Sequence, residues 1–203
     1  MTSPSCVFIV DDDEGVLRAL ERVLRLVGFA VETFTSAAAF LKRPLRDIPS
    51  CLILDLKLPD VDGLQLQEAM TQANIRIPIV FVSGRGDVAS TASAMRYGAV
   101  DFLEKPVEDT VLIEAVSRAL EQDAAARLRR GNESVARERF ERLTPREKDV
   151  CRLVARGLLN KQIADELGVS QQTVKIHRGR VMRKLEVGSV AELVRLLSSI
   201  EPG

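Results

Sequence analysis

The sequence predicts an α/β domain built on a doubly wound, five-stranded parallel sheet, followed by an all-α domain of four short helices. From Cys6 to about Leu120, short apolar runs alternate five times with longer amphipathic segments, which is the pattern of repeated β-α units. After Leu143 the apolar residues recur only at helical spacing. The length of 203 residues admits two domains of these sizes.

The predicted strands are near-continuous apolar runs, as expected for parallel strands that helices cover on both faces. They are residues 6–10, 30–34, 51–54, 79–82 and 100–103. The predicted helices of this domain are residues 14–27, 37–42, 64–73, 88–97 and 109–120. Asp13 and Glu14 are expected to cap the first helix, since acidic side chains favour a helix N-terminus.

Residues 121–142 are rich in Arg, Glu and Ala, and we predict a helical linker there. Gly131 and Asn132 interrupt this composition, so two helical pieces with a hinge between them are expected. A flexible tether is the alternative. The predicted organisation is therefore a first domain over residues 1–120, a linker over 121–142 and a second domain over 143–203.

Capping signals divide the second domain into its four helices. Thr144, Pro145 and Glu147 fit a capping box with proline at the first helical position. The further signals are Asn160 as a cap, Gly168 as a stop, Ser170 as a cap, and Ser189 with Glu192 as a second capping box. Helices this short need a shared core. The candidates are Val150, Leu153, Val154, Ile163, Leu167, Val174, Val181, Leu185, Leu193 and Leu196.

Composition and charge indicate a soluble protein whose two domains have different partners. The five-residue apolar run from Cys6 ends at three aspartates, which fits neither a signal peptide nor a membrane span, so we predict a cytoplasmic protein. Three scattered cysteines are expected to be reduced structural thiols. Residues 1–120 carry 12 basic and 17 acidic side chains, whereas residues 143–203 carry 11 and 7. The basic domain is therefore the candidate for binding a polyanion.

Chemically active side chains follow four of the five predicted strands: Asp11 and Asp12 the first, Asp55 the third, Ser83 the fourth and Lys105 the fifth. Because the carboxyl ends of parallel strands meet at one edge of the sheet, these side chains should cluster. An aspartate at a strand end is often only a turn residue, but four strand ends together favour a functional site. Clustered carboxylates need a cation, and Mg²⁺ prefers oxygen ligands.

Phosphoryl transfer gives each of these groups a role. A carboxylate can attack phosphorus when a metal ion and a cation offset the charge on the equatorial oxygens. Asp55 is the candidate nucleophile, Lys105 the candidate cation and the Ser83 hydroxyl a candidate donor to a phosphoryl oxygen.

Four segments resemble the receiver domains of two-component response regulators, which have a flavodoxin-like or CheY-like fold, and the resemblance covers about 120 residues. They are residues 10–12 (Val-Asp-Asp), 54–63 (Leu-Asp-Leu-Lys-Leu-Pro-Asp-Val-Asp-Gly), 82–84 (Val-Ser-Gly) and 104–106 (Glu-Lys-Pro). The resemblance implies that a sensor histidine kinase is the phosphodonor and that the receiver catalyses its own phosphorylation. It also implies a cis peptide bond between Lys105 and Pro106.

The same resemblance implies the metal ligands and a conformational switch. Mg²⁺ would be bound by Asp11, Asp12, Asp55 and the backbone carbonyl of Lys57. Ser83 and Phe102 would form the switch, in which the hydroxyl moves toward the phosphoryl group and the aromatic ring turns inward. Ordinary core packing is the alternative interpretation of Phe102.

The second domain contains a predicted helix-turn-helix. Residues 167–170 (Leu-Gly-Val-Ser) form a tight turn between two predicted helices, and the helix after it carries Gln, Lys, His and Arg side chains on its polar face. Such a face is often only a solvated surface. Together with the turn and the caps it predicts entry into the DNA major groove.

Three segments resemble the LuxR-type DNA-binding domain: residues 143–147 (Leu-Thr-Pro-Arg-Glu), 157–164 (Gly-Leu-Leu-Asn-Lys-Gln-Ile-Ala) and 169–177 (Val-Ser-Gln-Gln-Thr-Val-Lys-Ile-His). With the receiver, they point to the FixJ/NarL group of regulators. The resemblance places Lys175, Ile176 and His177 at the DNA, and Lys161, Thr173 and Arg178 among the backbone contacts. Gly179 departs from members of the group that carry a basic residue there.

The predicted function is that of a transcriptional response regulator that becomes a DNA-binding homodimer when phosphorylated on Asp55, with RNA polymerase as a further candidate partner. A regulator that binds DNA without phosphorylation is one alternative. An aspartyl-phosphate phosphohydrolase is another, but such enzymes typically place a second aspartate two residues after the nucleophile, where this chain has Lys57. Apart from its own phosphorylation and dephosphorylation, the chain is not expected to be an enzyme.

Overall fold

The computed structural model describes residues 5–44, 46–59, 61–84, 95 and 98–201. The chain folds as two compact units, Met1–Arg127 and Leu128–Gly203. The predicted helix over residues 88–97 lies outside the described residues, apart from Met95.

The first unit is built on five parallel strands, which confirms the predicted doubly wound fold. The strands are β1 (Cys6–Val10), β2 (Ala30–Phe34), β3 (Ser50–Asp55), β4 (Ile79–Ser83) and β5 (Asp101–Glu104). Their order in the sheet is β2-β1-β3-β4-β5, so β1 and β3 are central neighbours. Their carboxyl ends meet at one edge, where ligands bind in open sheets of this type.

Helices cover both faces of this sheet. They are α1 (Glu14–Leu26), α2 (Ala37–Leu41), α3 (Gly63–Gln72) and α4 (Asp109–Glu141). Because side chains alternate along a strand, Val7 and Ile9 pack with α1 and α4, whereas Phe8 and Val10 pack with α2 and α3. Asp13 caps α1 as predicted, accepting hydrogen bonds from the N–H groups of Gly15 and Val16.

The linker region forms a single helix with the end of the first domain, so the predicted hinge at Gly131 and Asn132 is wrong. Helix α4 runs without interruption from Asp109 to Glu141. Glycine costs a helix only about 0.5–1 kcal/mol relative to alanine. The Arg, Glu and Ala residues on either side are strong helix formers, and they outweigh that penalty.

A buried carboxylate attaches α4 to the start of β3. The side chain of Asp123 accepts hydrogen bonds from the backbone N–H of Ser50 at 2.8 Å and from Nε of Arg127 at 2.6 Å. Arg127 also pairs with Asp47 at 2.5 Å. These contacts extend the first compact unit to Arg127, seven residues beyond the predicted boundary at residue 120.

The second unit contains four further helices among its described residues: α5 (Pro145–Ala155), α6 (Asn160–Leu167), α7 (Gln171–Leu185) and α8 (Val190–Ile200). Their shared core contains the predicted apolar residues, although Leu167 and Leu196 are only partly buried. The capping box of Thr144 and Glu147, the left-handed Gly168 and the Ser170 cap all form as predicted.

Two predicted caps differ from the structure. Asn160 is the first residue of α6 rather than its cap, because its side chain accepts a hydrogen bond from Arg178 while Gln162 accepts from the N–H of Leu159. Ser189 caps α8, but Glu192 accepts from the N–H of Gly188 instead of completing a capping box.

The cysteines fit the predicted structural role. All three are buried and none forms a disulfide. Burial raises the pKa of the Cys6 thiol to about 11 and that of Cys151 to about 12. Among the described residues, no helix combines the length and the apolar character that a membrane span requires.

Candidate functional sites

Three carboxylates meet at the carboxyl edge of the sheet. Asp55 ends β3 and Asp11 follows β1, and the two strands pair so that Val10 lies beside Leu54. Asp11 and Asp55 are buried, whereas Asp12 is exposed. One oxygen from each of the three lies within 4.8 Å of the others. This neighbourhood follows directly from the strand order.

Lys105 bridges the two buried carboxylates. Its Nζ lies 2.6 Å from Oδ2 of Asp11 and 3.0 Å from Oδ2 of Asp55. Burial raises the pKa of Asp11 although the hydrogen bond from Lys105 opposes this. Burial alone would lower the pKa of Lys105, but its hydrogen bonds to Asp11 and Asp55 outweigh burial and the pKa is raised. The ammonium therefore stays charged between the two acids.

The backbone around β4 and β5 holds Lys105 and Ser83 at the same edge. Ser83 is buried at the end of β4, and its carbonyl accepts a hydrogen bond from the N–H of Lys105 at 2.8 Å. The peptide bond between Lys105 and Pro106 is cis, as the resemblance implied. The edge therefore brings a hydroxyl residue, an ammonium and three carboxylates together.

The loop after Asp55 depends on a glycine whose role the sequence analysis missed. Gly63 donates its N–H to the carbonyl of Leu56 at 2.8 Å. Across the loop, the backbones of Lys57 and Asp62 pair as an isolated antiparallel β-bridge. A Cβ atom at Gly63 would come within 2.7 Å of the Asp55 carbonyl oxygen and 3.1 Å of the Phe81 ring. Only a residue without a side chain fits so close to Asp55. The Asp-Gly pair before α3 was the available signal.

The donor set suits a hard divalent cation. Three carboxylates that converge within 4.8 Å, two of them buried, offer the oxygen ligands that Mg²⁺ prefers. Asp11, Asp12 and Asp55 would supply side-chain oxygens. Lys57 is only two residues beyond Asp55, so its backbone remains a candidate for a further ligand.

Phe102 lies on β5 within the same half of the sheet. Its ring is half-buried and stacks on Phe81, with ring centroids 6.4 Å apart and planes inclined by 27°. This contact is compatible both with packing and with a ring that changes position.

The second candidate site is the outer surface of α7. Lys175 and Ile176 are exposed, and Ile176 has 47% of its surface accessible. His177 and Arg178 are half-buried. Val174 and Val181 face the core and fix the orientation of this helix.

The remaining predicted DNA contacts surround that surface. Lys161 is exposed on α6. Thr173 forms a hydrogen bond of 2.9 Å with the Ser170 hydroxyl at the start of α7. Nη1 of Arg178 donates to Oδ1 of Asn160 at 3.2 Å, so this guanidinium also joins α7 to α6.

A buried glutamate fixes the far end of α7. Glu147 accepts hydrogen bonds from the N–H of Thr144 at 2.9 Å and from Nζ of Lys184 at 2.6 Å. Burial would raise the pKa of Glu147, but these hydrogen bonds outweigh it and the pKa is lowered. One carboxylate thus connects the start of α5 to α7.

Comparison with known families identifies two matches. The family described as "Response regulator receiver domain" matches residues 7–117. The family described as "Bacterial regulatory proteins, luxR family" matches residues 141–197. The first match contains the acidic cluster and the second contains the helix-turn-helix.

Individual proteins are similar over nearly all of this chain. Nodulation protein W of Bradyrhizobium diazoefficiens is 43% identical over 98% of this chain and 88% of its own length. Transcriptional regulatory protein FixJ of Rhizobium meliloti is 42% identical over 94% of this chain and 93% of its own. The solved structure of the response regulator StyR has a TM-score of 0.83 at 43% identity, covering 97% of this chain and 99% of that one.

Proposed function

Because the chain belongs to the response regulator family, with a receiver domain and a LuxR-type DNA-binding domain, we propose that phosphorylation of Asp55 controls how it regulates transcription. The observation that carries this proposal is the acidic cluster. Asp55 ends β3, is buried and lies beside the buried carboxylate of Asp11, and Lys105 forms hydrogen bonds with both.

In the proposed reaction a sensor histidine kinase supplies the phosphoryl group. An oxygen of Asp55 attacks the phosphorus of the phosphohistidine, the new P–O bond forms and the P–N bond breaks. The imidazole leaves and takes up a proton. Asp11, Asp12, Asp55 and the Lys57 carbonyl would hold Mg²⁺, which would offset the negative charge that develops on the transferred group.

Lys105 and Ser83 complete this site in the proposal. The Lys105 ammonium, already held between Asp11 and Asp55, is placed to neutralise one phosphoryl oxygen. The Ser83 hydroxyl donates to another oxygen, and Phe102 changes position on β5 in response.

The proposed DNA interface is the outer surface of α7. Exposed Lys175 and Ile176, together with His177, are proposed to lie at the DNA, while Lys161, Thr173 and Arg178 contact its backbone. RNA polymerase is a further proposed partner of a regulator of this kind. A cytoplasmic location, which would give the protein access to DNA, is part of the same proposal.

Intact-mass measurement with acetyl phosphate and Mg²⁺ tests the proposal. The wild-type protein should gain one phosphoryl group, and Asp55→Asn should gain none, because the amide is not a nucleophile toward phosphorus. Chelating Mg²⁺ should stop the wild-type reaction. Asp62→Asn is the matched control, since asparagine also caps helices and Asp62 caps α3 outside the cluster.

The outcomes also separate the two alternatives. A phosphoryl adduct on Asp55→Asn at the wild-type rate would remove Asp55 as the acceptor. DNA binding that is equal with and without the adduct would favour a regulator independent of phosphorylation. Rapid turnover of external phosphate esters would favour a phosphohydrolase.

A further inference from the structure

His177 is the single histidine of the chain and lies on the flank of α7. Its neighbours in the helix divide sharply: Val174 is in the core, whereas Lys175 and Ile176 are exposed. The imidazole is half-buried between these two environments. Its Nδ1 atom is shielded from solvent, and none of the residues that the structure describes forms a hydrogen bond with it.

The shielded nitrogen distinguishes the two neutral forms of the ring. A neutral imidazole carries its hydrogen on one nitrogen and a lone pair on the other. If the hydrogen were on Nδ1, a buried N–H would lack an acceptor, and such orphaned donors are rarer in proteins than acceptors that lack a donor. The lone pair therefore belongs on Nδ1 and the hydrogen on Nε2.

We propose that His177 is held as the Nε2–H tautomer and acts on DNA as a hydrogen-bond donor through Nε2. This inference rests on the proposed DNA-binding role of α7. The partner of the Nε2–H group on DNA is then a hydrogen-bond acceptor, either a phosphate oxygen or an acceptor on a base edge such as N7 or O6 of guanine. The amino groups of adenine and cytosine are excluded as partners, because they are donors as well.

Because His177 lies on the flank of α7, its position does not decide between a phosphate oxygen and a base edge as the acceptor. Thr173, one turn earlier, and Lys184, two turns later, lie on the same stripe of α7, and Lys184 already contacts Glu147 of α5. A phosphate contact would fix the position of the domain on DNA without reading sequence, whereas a base contact would contribute specificity.

Nuclear magnetic resonance of the uniformly ¹⁵N-labelled full-length protein tests the tautomer without DNA. With one histidine in the chain, the long-range ¹H–¹⁵N correlations of the ring need no assignment. In its neutral form the ring is expected to show a protonated Nε2 and an unprotonated Nδ1. A protonated Nδ1, or equal populations of the two forms, would overturn the proposal.

A pair of substitutions tests the donor role. The amide nitrogen of glutamine reaches about as far along the side chain as Nε2, whereas that of asparagine reaches only to Nδ1. His177→Gln should therefore bind DNA nearly as well as wild type, and His177→Asn should bind roughly 3- to 10-fold more weakly, the worth of one hydrogen bond. The probes are a duplex selected from a random-sequence pool and an unrelated duplex of equal length.

The comparison of the duplexes identifies the acceptor. Equal weakening of His177→Asn on both duplexes means a phosphate oxygen, and weakening confined to the selected duplex means a base edge. Lys175→Ala is the control for the interface itself. If Lys175→Ala weakens binding while the glutamine and asparagine variants lose affinity equally, the donor role fails and the interface stands. If all three bind as wild type, the interface on α7 fails as well.

Discussion

Gly179 interrupts the side chains on the outer surface of α7. It is exposed in the middle of the helix, and a Cβ atom added there would meet nothing within 4 Å. Packing within the protein therefore gives no reason for a residue that costs a helix about 0.5–1 kcal/mol. A close approach of DNA to the helix backbone at Gly179 would explain why glycine occupies this position.

We predict that Gly179→Ala increases the free energy of unfolding by about 0.5–1 kcal/mol and weakens DNA binding. The stability gain comes from the helix, and the loss of affinity comes from the new methyl group at the interface. Urea unfolding followed by circular dichroism and titration with DNA measure the two effects. Gly131→Ala, in open space on α4, should give the same gain without loss of binding, and unchanged binding of Gly179→Ala would contradict the close approach.

Single residues also illustrate what could be predicted from the sequence. Asp11, Asp55 and Lys105 were placed together correctly because the carboxyl ends of parallel strands meet at one edge of the sheet. Gly63 was missed because the Asp-Gly pair signals only a turn, whereas the need for glycine arises from its close approach to the Asp55 carbonyl and the Phe81 ring. The role of Asn160 was mistaken for a related reason: its partner, Arg178, lies on another helix.

Helix α4 is held to the first domain by Asp123. The N–H of Ser50 and Nε of Arg127 donate hydrogen bonds to its carboxylate, and the Asp123 side chain has no solvent exposure. The contact joins the start of β3, whose other end carries Asp55, to the segment that precedes the DNA-binding domain.

We predict that Asp123→Ala destabilises this junction by about 1–3 kcal/mol, because it leaves a buried backbone N–H without an acceptor. Amide hydrogen exchange measured by mass spectrometry should become faster at the start of β3 and in the part of α4 near Arg127. Glu121→Ala, exposed on the same helix, serves as the control and should leave exchange unchanged. Unaltered exchange around Ser50 in Asp123→Ala would show that the contact does not hold the helix.

The elements were predicted most accurately where hydrophobic periodicity decides them. Strands β1 and β2 have the predicted bounds, and β1 is buried along its whole length, as expected for an apolar run covered by helices on both faces of the sheet. The continuity of α4 through Gly131 was not predicted, because a local break signal was weighed above the sum of many helix-forming residues. The attachment by Asp123 depends on a residue 73 positions away in sequence and could not be anticipated.

The proposed function places phosphoryl chemistry in the receiver domain and DNA binding in the LuxR-type domain, and dimerisation is a physical means of coupling them. Ser83 and Lys105 flank β5, where Asp101 pairs with Arg118 of α4 at 2.5 Å. A phosphoryl group on Asp55 that contacts both Ser83 and Lys105 can shift the conformation around β5 only if these contacts differ between the two conformations. Two DNA-binding domains then match two related half-sites.

We predict that phosphorylation converts a monomer into a dimer through the face formed by β5, the first turns of α4 and the predicted helix over residues 88–97. Sedimentation with and without acetyl phosphate measures this, and DNA affinity should rise in parallel. Val111→Arg, at an exposed apolar residue of α4, should reduce phosphorylation-dependent dimerisation, whereas Leu26→Arg at the end of α1 should not. A monomer in both states with equal DNA affinity would rule the coupling out.

The shared contact of Glu147 has a consequence for acid stability. A carboxyl group whose pKa is lowered on folding stabilises the folded state above its unfolded pKa, and this stabilisation disappears as the pH falls through the folded value. Protonation of Glu147 would weaken the Thr144 cap of α5 and release Lys184 of α7 together. The difference in free energy of unfolding between wild type and Glu147→Gln should therefore be largest at neutral pH and shrink on acidification. A difference that is independent of pH would mean that packing, rather than charge, holds these two helices together.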